Sequence, residues 1–307
     1  MATFSKMQLN AIANAVIKRL PRVPFNATWK KIYRQLEIGQ PDGAGKYLHF
    51  SLADFDLLRE MVNIDAGVDV LNLDFNVDRI AISNITSKEK YANIRPEANY
   101  VLVKAPFMFA GEPCFDKFGL FDEQTAFRLH IDRVIEVCRN KPISDLIIVE
   151  NLDIFDAVQQ GEFSAELGRR LGNAMFIYRG GGTHSAAGRK SLLREIQNDT
   201  ALATKITISA FVDLDPAGLQ IACLLDGCQQ LILPDLAVSQ PDDLLNIPQI
   251  NDPDDYYKQS RQVSYLEAIA LGNWQTLFSW MRLSKVSIKQ QHMLTRNLML
   301  TGLLRHK

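Results

Sequence analysis

The chain has 307 residues, 47% of them hydrophobic and 22% charged, with a formal net charge of −1. That length and composition call for a folded protein with two or three cored domains, and they exclude a disordered or fibrous chain and a strongly basic protein that coats nucleic acid. The N-terminus, Met-Ala-Thr-Phe-Ser-Lys, lacks the charged-then-apolar-then-small order of a leader, and the apolar runs Leu146 to Val149 and Ile221 to Leu225 are too short to span a bilayer. The expectation is a cytoplasmic protein with no membrane partner.

The four cysteines, Cys114, Cys138, Cys223 and Cys228, form no Cys-x-x-Cys and have no His at ligand spacing, so they are expected to be reduced, buried thiols. Charge is unevenly distributed. Residues 1–50 hold eight Lys or Arg against Glu37 and Asp42; residues 235–257 hold six Asp and no base; residues 258–307 hold eight bases against Glu267. Two basic ends flanking an acidic connector suit either phosphate contacts or solvated helix faces.

Along the chain, Met7, Leu9, Ile12, Val16, Ile17 and Leu20 follow helical spacing up to Pro21. Trp29, Ile32, Tyr33 and Leu36 predict a second helix that carries Lys30, Lys31 and Arg34 and stops at Gly39. Helix, turn, basic helix is what a winged-helix-like DNA-binding module offers, so the three cations are candidate DNA contacts. Tyr47 to Val70 again reads as helical, through Phe55, Leu58, Met61 and Val62, and Tyr100 to Ala105 alternates like a strand.

The centre is more regular. Asp145-Leu-Ile-Ile-Val-Glu150 is a β-branched apolar run ending on a carboxylate, the pattern of a buried parallel strand that delivers an acid at its carboxyl end. A helical stretch, Leu152 to Leu171, leads to a strand at Ala174 to Tyr178. Beyond Arg179-Gly-Gly-Gly182 come a helix around Leu192, Leu193 and Ile196, a strand over Ile206 to Val212, Asp213-Leu-Asp215, a helix over Pro216 to Leu225 and a last strand at Gln230 to Leu233. Such alternation calls for a parallel sheet with right-handed crossovers and a site beyond the carboxyl ends of its strands.

Two aspartates one residue apart can face one cation when the second lies on the turn beyond its strand. With Glu150 from a neighbouring strand they compose a hard oxygen site suited to Mg²⁺ or Mn²⁺. Pro216 suits the first turn of the next helix, and Gly218 lets a phosphate or metal approach the backbone. The glycines at 180–182, with Thr183, form either a phosphate cradle or a tight strand-to-helix turn. Arg179, His184, Arg189 and Lys190 lie near that turn, either as candidate DNA contacts or, the favoured reading, as residues of a surface loop. Asn151 either orients Glu150 or caps the following helix. The run Asp252-Pro-Asp254-Asp255 reads as a solvated linker rather than a second metal site. Trp274, Leu277, Phe278, Trp280 and Met281 compose the core face of a C-terminal helix.

Val149-Glu150-Asn151, the glycine turn after Phe176-Ile-Tyr178 and Phe211-Val-Asp213-Leu-Asp215-Pro-Ala-Gly218-Leu resemble the Toprim domain of topoisomerase VI A subunits. The likeness spans residues 143–236 and is closest to the nuclease subunits, JetD or MksG, of Wadjet condensin-like plasmid-defence systems. It implies that Glu150 acts in acid–base chemistry or metal binding and that Asp213 and Asp215 hold the cation. Tyr265-Leu-Glu267-Ala resembles an acidic C-terminal motif of these nucleases, whereas Lys289-Gln-Gln291 stands where a Gln-Glu pair is expected.

The expected architecture is therefore α/β: a helical, winged-helix-like region over 1–135, a Toprim domain with a Rossmann-like parallel sheet over 136–236, and an acidic connector with a small helical region over 237–307. The expected activity is metal-dependent DNA endonuclease with water as nucleophile. By resemblance it works as a homodimer with an SMC-like ATPase complex. Two other readings stay open. One is a tyrosine transesterase using Tyr33, which lacks the family's Arg-x-x-Tyr-Tyr pattern. The other is a non-catalytic DNA- or nucleotide-binding subunit.

Overall fold

The computed structural model describes residues 4–72, 79–84, 97–106, 124–181, 186–236 and 241–305. They divide into two compact units, Met1–Pro96 and Glu97–Lys307. Both boundaries expected from the sequence, after 135 and after 236, fall inside the second unit.

In the first unit, α1 (Lys6–Ile17) opens with a capping box in which Ser5 and Gln8 satisfy each other's backbone amides, and it buries Leu9, Ile12 and Val16. After β1 (Arg22–Pro24), the Asn26 side chain caps α2 (Ala27–Leu36), which buries Trp29 and Ile32 and ends at Glu37 in the left-handed region. Strands β2 (Gln40–Pro41) and β3 (Tyr47–His49) complete a three-stranded antiparallel sheet in the order β1-β3-β2. The helix expected from Tyr47 therefore starts later. Leu48 is buried between exposed Tyr47 and His49, a two-residue alternation that pairs with β1. Only after Ser51, which forms a capping box with Asp54, does α3 (Leu52–Ala66) begin, and Gly67 at φ 71° ends it. A short α4 (Arg79–Ser83) follows.

The second unit is built on a seven-stranded mixed sheet. Its strands are β4 (Tyr100–Lys104), β5 (Phe127–His130), β6 (Asp145–Val149), β7 (Ala174–Tyr178), β8 (Thr207–Phe211), β9 (Cys228–Pro234) and β10 (Leu300–Leu304), in the order β10-β9-β8-β6-β7-β4-β5. The inner four, β9-β8-β6-β7, are parallel; β4, β5 and β10 are antiparallel additions. Every residue of β6 is buried, as expected of a central strand covered on both faces. At roughly 1.5–3 kcal/mol for each fully buried large aliphatic side chain, Leu146, Ile147, Ile148 and Val149 anchor this core.

Helix α5 (Ile131–Asn140) precedes β6. The helix expected over Leu152 to Leu171 is two, α6 (Leu152–Ala157) and α7 (Ala165–Leu171), joined through a short 3₁₀ turn. The break is tertiary in origin: the backbone of Glu162 and Ser164 bonds Leu300 of β10, and a Cβ on Gly161 would sit 2.8 Å from the Phe163 ring. Helices α8 (Ala187–Asn198) and α9 (Thr200–Lys205) connect β7 to β8, and α10 (Pro216–Cys223) connects β8 to β9. The C-terminal part is helical as expected, with α11 (Pro241–Leu245), α12 (Pro253–Tyr257), α13 (Ser260–Glu267), α14 (Trp274–Ser284) and α15 (Gln290–Thr295), but it ends in the strand β10. Trp274, Leu277, Phe278 and Met281 form the buried face of α14.

Cys138 and Cys228 are buried free thiols, pushed up to about 11 and about 12 by burial, and Cys223 is half-buried; Cys114 lies outside the described residues. Among the described residues, no helix is long and apolar enough to cross a membrane.

Candidate functional site

The path of the chain sets the location. From β6 it moves to β7 on one side, returns across β6 to β8, and continues outward to β9. The direction of winding thus reverses between β6 and β8, and the region beyond their carboxyl ends is where open α/β sheets place a ligand crevice. Glu150 stands at the end of β6, Asp213 and Asp215 follow β8, and Arg179 follows β7.

Glu150 is held at the Asp213 backbone: its Oε2 accepts the Asp213 N–H at 3.2 Å, and its Oε1 lies 3.6 Å from Nη2 of Arg179. Its own amide still continues the sheet ladder, donating to the Phe211 carbonyl at 3.0 Å. Burial raises the Glu150 pKa above the ordinary carboxylate value, and the neighbouring Asp213 charge adds to the shift. Asp213 is also raised, chiefly by burial, although the Gln290 N–H and Lys289 oppose the change. The Asp213 Oδ1 accepts from the Gln290 amide at 2.8 Å and from Asn151 Nδ2 at 3.3 Å, and its Oδ2 lies 3.3 Å from the Lys289 ammonium.

Asp215 behaves differently. Its side chain is 2% exposed. Oδ1 caps α10 by accepting the Gly218 N–H at 2.8 Å, while Oδ2 accepts from Gln259 Nε2 at 2.9 Å, Lys289 Nζ at 3.0 Å and Ser287 Oγ at 3.3 Å. Asp255 completes the cluster, its Oδ2 receiving Lys289 Nζ at 2.7 Å, Ser287 Oγ at 2.9 Å and Gln259 Nε2 at 3.1 Å. These donors, led by Lys289, hold the Asp255 carboxyl below its usual value. Burial pulls the Lys289 pKa down, but Asp255, Asp215 and Asp213 together hold it above the ordinary lysine value.

Lys289 and Gln290 reach this crevice through a backbone bridge. Leu214 and Ile288 exchange two hydrogen bonds, 2.8 and 3.1 Å, so the segment before α15 runs alongside the Asp213–Asp215 turn. Sequence reasoning passed over Ser287 and Gln259, noted Lys289 and Gln290 only for the acid missing there, and set Asp255 aside as linker. Reading Asp252 to Asp255 as a solvated linker is corrected: Asp252 caps α12, and Asp255 turns inward to Lys289. The only trace of Lys289 in the sequence was its departure from the Gln-Glu pair of the resembled family.

Asn151 sits at the N-cap of α6 without making the cap bond; its amide goes to Asp213 and Gln290 instead. Gly218 also has a different purpose from the one expected. A Cβ there would lie 2.1 Å from the Asp213 carbonyl oxygen, so the glycine lets α10 pack against the backbone that carries the site. Gly180, at φ 94°, requires the freedom of glycine, whereas Gly182, Thr183 and His184 lie outside the described residues. Lys190 is exposed on α8 and Arg189 is buried there; Lys30, Lys31 and Arg34 are exposed on α2 of the first unit. Glu267 is on the surface of α13, paired with Arg282 at 2.6 Å.

The donor set divides the three expected cation ligands. Hydrogen-bond donors occupy both oxygens of Asp215, so it does not fit as a ligand in this arrangement. Glu150 Oε1 and Asp213 Oδ2 have weaker engagements, with Arg179 at 3.6 Å and Lys289 at 3.3 Å. Two carboxylates and water suffice for Mg²⁺ or Mn²⁺. Among the described residues, no group of three or more His, Cys, Asp or Glu side chains is arranged to hold a metal.

Fold and site together define a mixed α/β protein with a carboxylate crevice at the switch point of its parallel strands. The chain belongs to the family described as Domain of unknown function (DUF7281), whose model matches residues 114–302. No curated protein and no solved structure matches it.

Proposed function

We propose that this chain is a DNA endonuclease of the Toprim type, the nuclease subunit of a plasmid-defence complex with an SMC-like ATPase, acting as a homodimer so that two sites address two strands. The observation that carries the reading is the meeting of Glu150 and Asp213 from different strands at the switch-point crevice, both with raised pKa values and with Arg179 beside Glu150.

Glu150 Oε1 and Asp213 Oδ2 are the oxygens that would hold Mg²⁺ or Mn²⁺, which when bound would stabilise charge on a phosphodiester and lower the pKa of a water nucleophile. Because both carboxyl pKa values are raised, protons compete with the ion for these oxygens more than at ordinary carboxylates, which makes cation affinity rise with pH. Arg179 brings a guanidinium to the rim, where it suits a phosphate oxygen. In the first unit, the exposed Lys30, Lys31 and Arg34 on α2, beside the β2–β3 hairpin, support a winged-helix-like module that contacts the DNA backbone. Tyr33 is half-buried with its ring edge-on to Phe25 at 5.6 Å, so hydrolysis by water is favoured over a tyrosine-linked intermediate.

The test is incubation of the purified protein, alone and with its ATPase partners, with supercoiled plasmid in Mg²⁺ or Mn²⁺. Nicked or linear products from the wild type, lost in Glu150→Ala and Asp213→Ala and kept in Tyr33→Phe, are expected. Failure of the complete assembly to cut under either ion overturns the reading and leaves a DNA-binding subunit.

A further inference from the structure

The three aspartates on the β9 side of the crevice meet a cation that belongs to the chain. Lys289 Nζ lies 2.7 Å from Asp255, 3.0 Å from Asp215 and 3.3 Å from Asp213. Gln259 donates to both Asp215 and Asp255, and the single Ser287 hydroxyl proton lies between the two, nearer Asp255, so these carboxylates are drawn together by neutral donors as well as by the ammonium. Gln259 is itself fixed, its Oε1 accepting the Ala217 amide at 2.8 Å. The Ser287 amide donates to Asn251 at 2.7 Å, and the Ser287 carbonyl accepts from the Asp252 amide at 2.9 Å. With the Leu214–Ile288 bridge, these contacts fix the lysine at both its backbone and its head.

We propose that Lys289 is the resident cation of an internal site formed by Asp213, Asp215 and Asp255, standing where a second divalent ion would otherwise bind beside the Glu150–Asp213 pair. Like-charged carboxylates this close are relieved either by a shared proton or by a positive charge among them, and here an ammonium stands within 3.3 Å of all three. The ammonium supplies it without an ion from solution, and through Asp213 its charge extends to the neighbouring pair. The site therefore accommodates one exchangeable ion together with a fixed lysine, in place of two metals clamping a phosphate. This arrangement also accounts for Asp215, whose oxygens are filled by donors. The catalytic consequence rests on the nuclease reading above; the occupancy of the site does not.

The experiment counts bound Mn²⁺ on the full chain by electron paramagnetic resonance and calorimetry, without DNA. Lys289→Met is expected to bind about one more ion per chain than the wild type, as three carboxylates freed of their ammonium provide hard oxygen ligands. Lys289→Met with Asp255→Asn is expected to lose the additional ion. Should Lys289→Met fail to fold, Lys289→Gln, which keeps hydrogen-bond donors but no charge, takes its place, and Mn²⁺ is expected to raise its melting temperature by more than it raises that of the wild type. A folded Lys289 variant with wild-type stoichiometry overturns the proposal, as does a wild type that already binds a divalent ion lost on Asp255→Asn. Because no cleavage is measured, an inactive wild type bears on the nuclease reading alone.

Discussion

The Asn151 amide donates to Gln290 Oε1 over 2.8 Å, joining residues 139 positions apart at the mouth of the crevice. Gln290 is fully buried, and its side chain also accepts the Asn151 backbone N–H at 3.2 Å and donates to the Phe211 carbonyl at 2.9 Å. Its backbone amide meets Asp213. One glutamine thus connects the ends of β6 and β8 and positions Asp213, one of the two carboxylates whose outer oxygen is only weakly engaged. Through it, the C-terminal segment forms part of the wall of the site.

Gln290→Ala should therefore weaken the fold and the site together. It removes the acceptor of the Asn151 amides and one donor to Phe211, and unsatisfied buried groups cost about 1–3 kcal/mol each, so a loss of roughly 2–4 kcal/mol is expected in urea unfolding. Gln290→Glu keeps the acceptor but brings a further negative charge towards Asp213. It should raise the Asp213 pKa further, read by NMR titration of the carboxyl, and a Gln290→Glu variant as stable and with the same Asp213 titration as the wild type would refute this account.

Asp213 and Asp215 should separate in stability measurements even though their spacing in sequence suggests equivalent ligands. Asp215→Ala removes the α10 cap and leaves Lys289, Gln259 and Ser287 with fewer acceptors; losing a cap costs about 1 kcal/mol, and the partly exposed Lys289 loses one of its three acidic partners, which adds less than the roughly 3–5 kcal/mol of a fully buried pair. Asp213→Asn keeps an acceptor for the Gln290 amide and relieves the charge next to Glu150, so its effect on unfolding should be small, within about 1 kcal/mol. Equal losses in both variants, measured by chemical denaturation, would show that Asp215 is not the structural member of the pair.

The parallel strands and the position of Glu150, Asp213 and Asp215 just past their carboxyl ends were legible because each is a local signal. The β-branched run at Asp145 to Val149 has the composition of a strand covered on both faces, and Pro216 after Asp215 marks a helix start. The break at Gly161, strand β10 and the Lys289 contacts were not legible, because each depends on pairing between distant segments: Glu162 and Ser164 with Leu300, β10 with β9, Leu214 with Ile288. Asp255 was misread for a related reason. Three aspartates in four residues have the composition of a solvated connector, and only the fold shows that one of them faces inward.

Gly218→Ala should be far more harmful than the usual glycine-to-alanine change in a helix. Alanine in a helix interior normally gains about 0.5–1 kcal/mol over glycine, but here the added Cβ would meet the Asp213 carbonyl oxygen at 2.1 Å. Either α10 or the Asp213 turn must move, and Asp213 would be shifted relative to Glu150. Expected results are a lower melting temperature and loss of divalent-ion binding. A stabilised variant with intact binding would mean that α10 is free to shift without disturbing the site.

Glu150 lends itself to a test of sign. Its folded pKa is raised, first by burial and then by the Asp213 charge, whereas in the unfolded chain it titrates at the ordinary carboxylate value. A raised pKa gives stability that is fully present below the unfolded value and lost as pH rises through the folded one, so above the unfolded value the acid at 150 burdens the fold increasingly with pH. Glu150→Gln keeps an acceptor for the Asp213 amide without the charge. In metal-free buffer it should melt above the wild type at pH 7–8, by about 2–4 °C for each kcal/mol relieved, and the difference should shrink as pH falls towards 4. Adding Mn²⁺ should reverse the order at neutral pH, because the ion stabilises only the chain that can release its proton and bind. Melting curves with the order unchanged by Mn²⁺ would remove Glu150 from the cation site while leaving its burial intact.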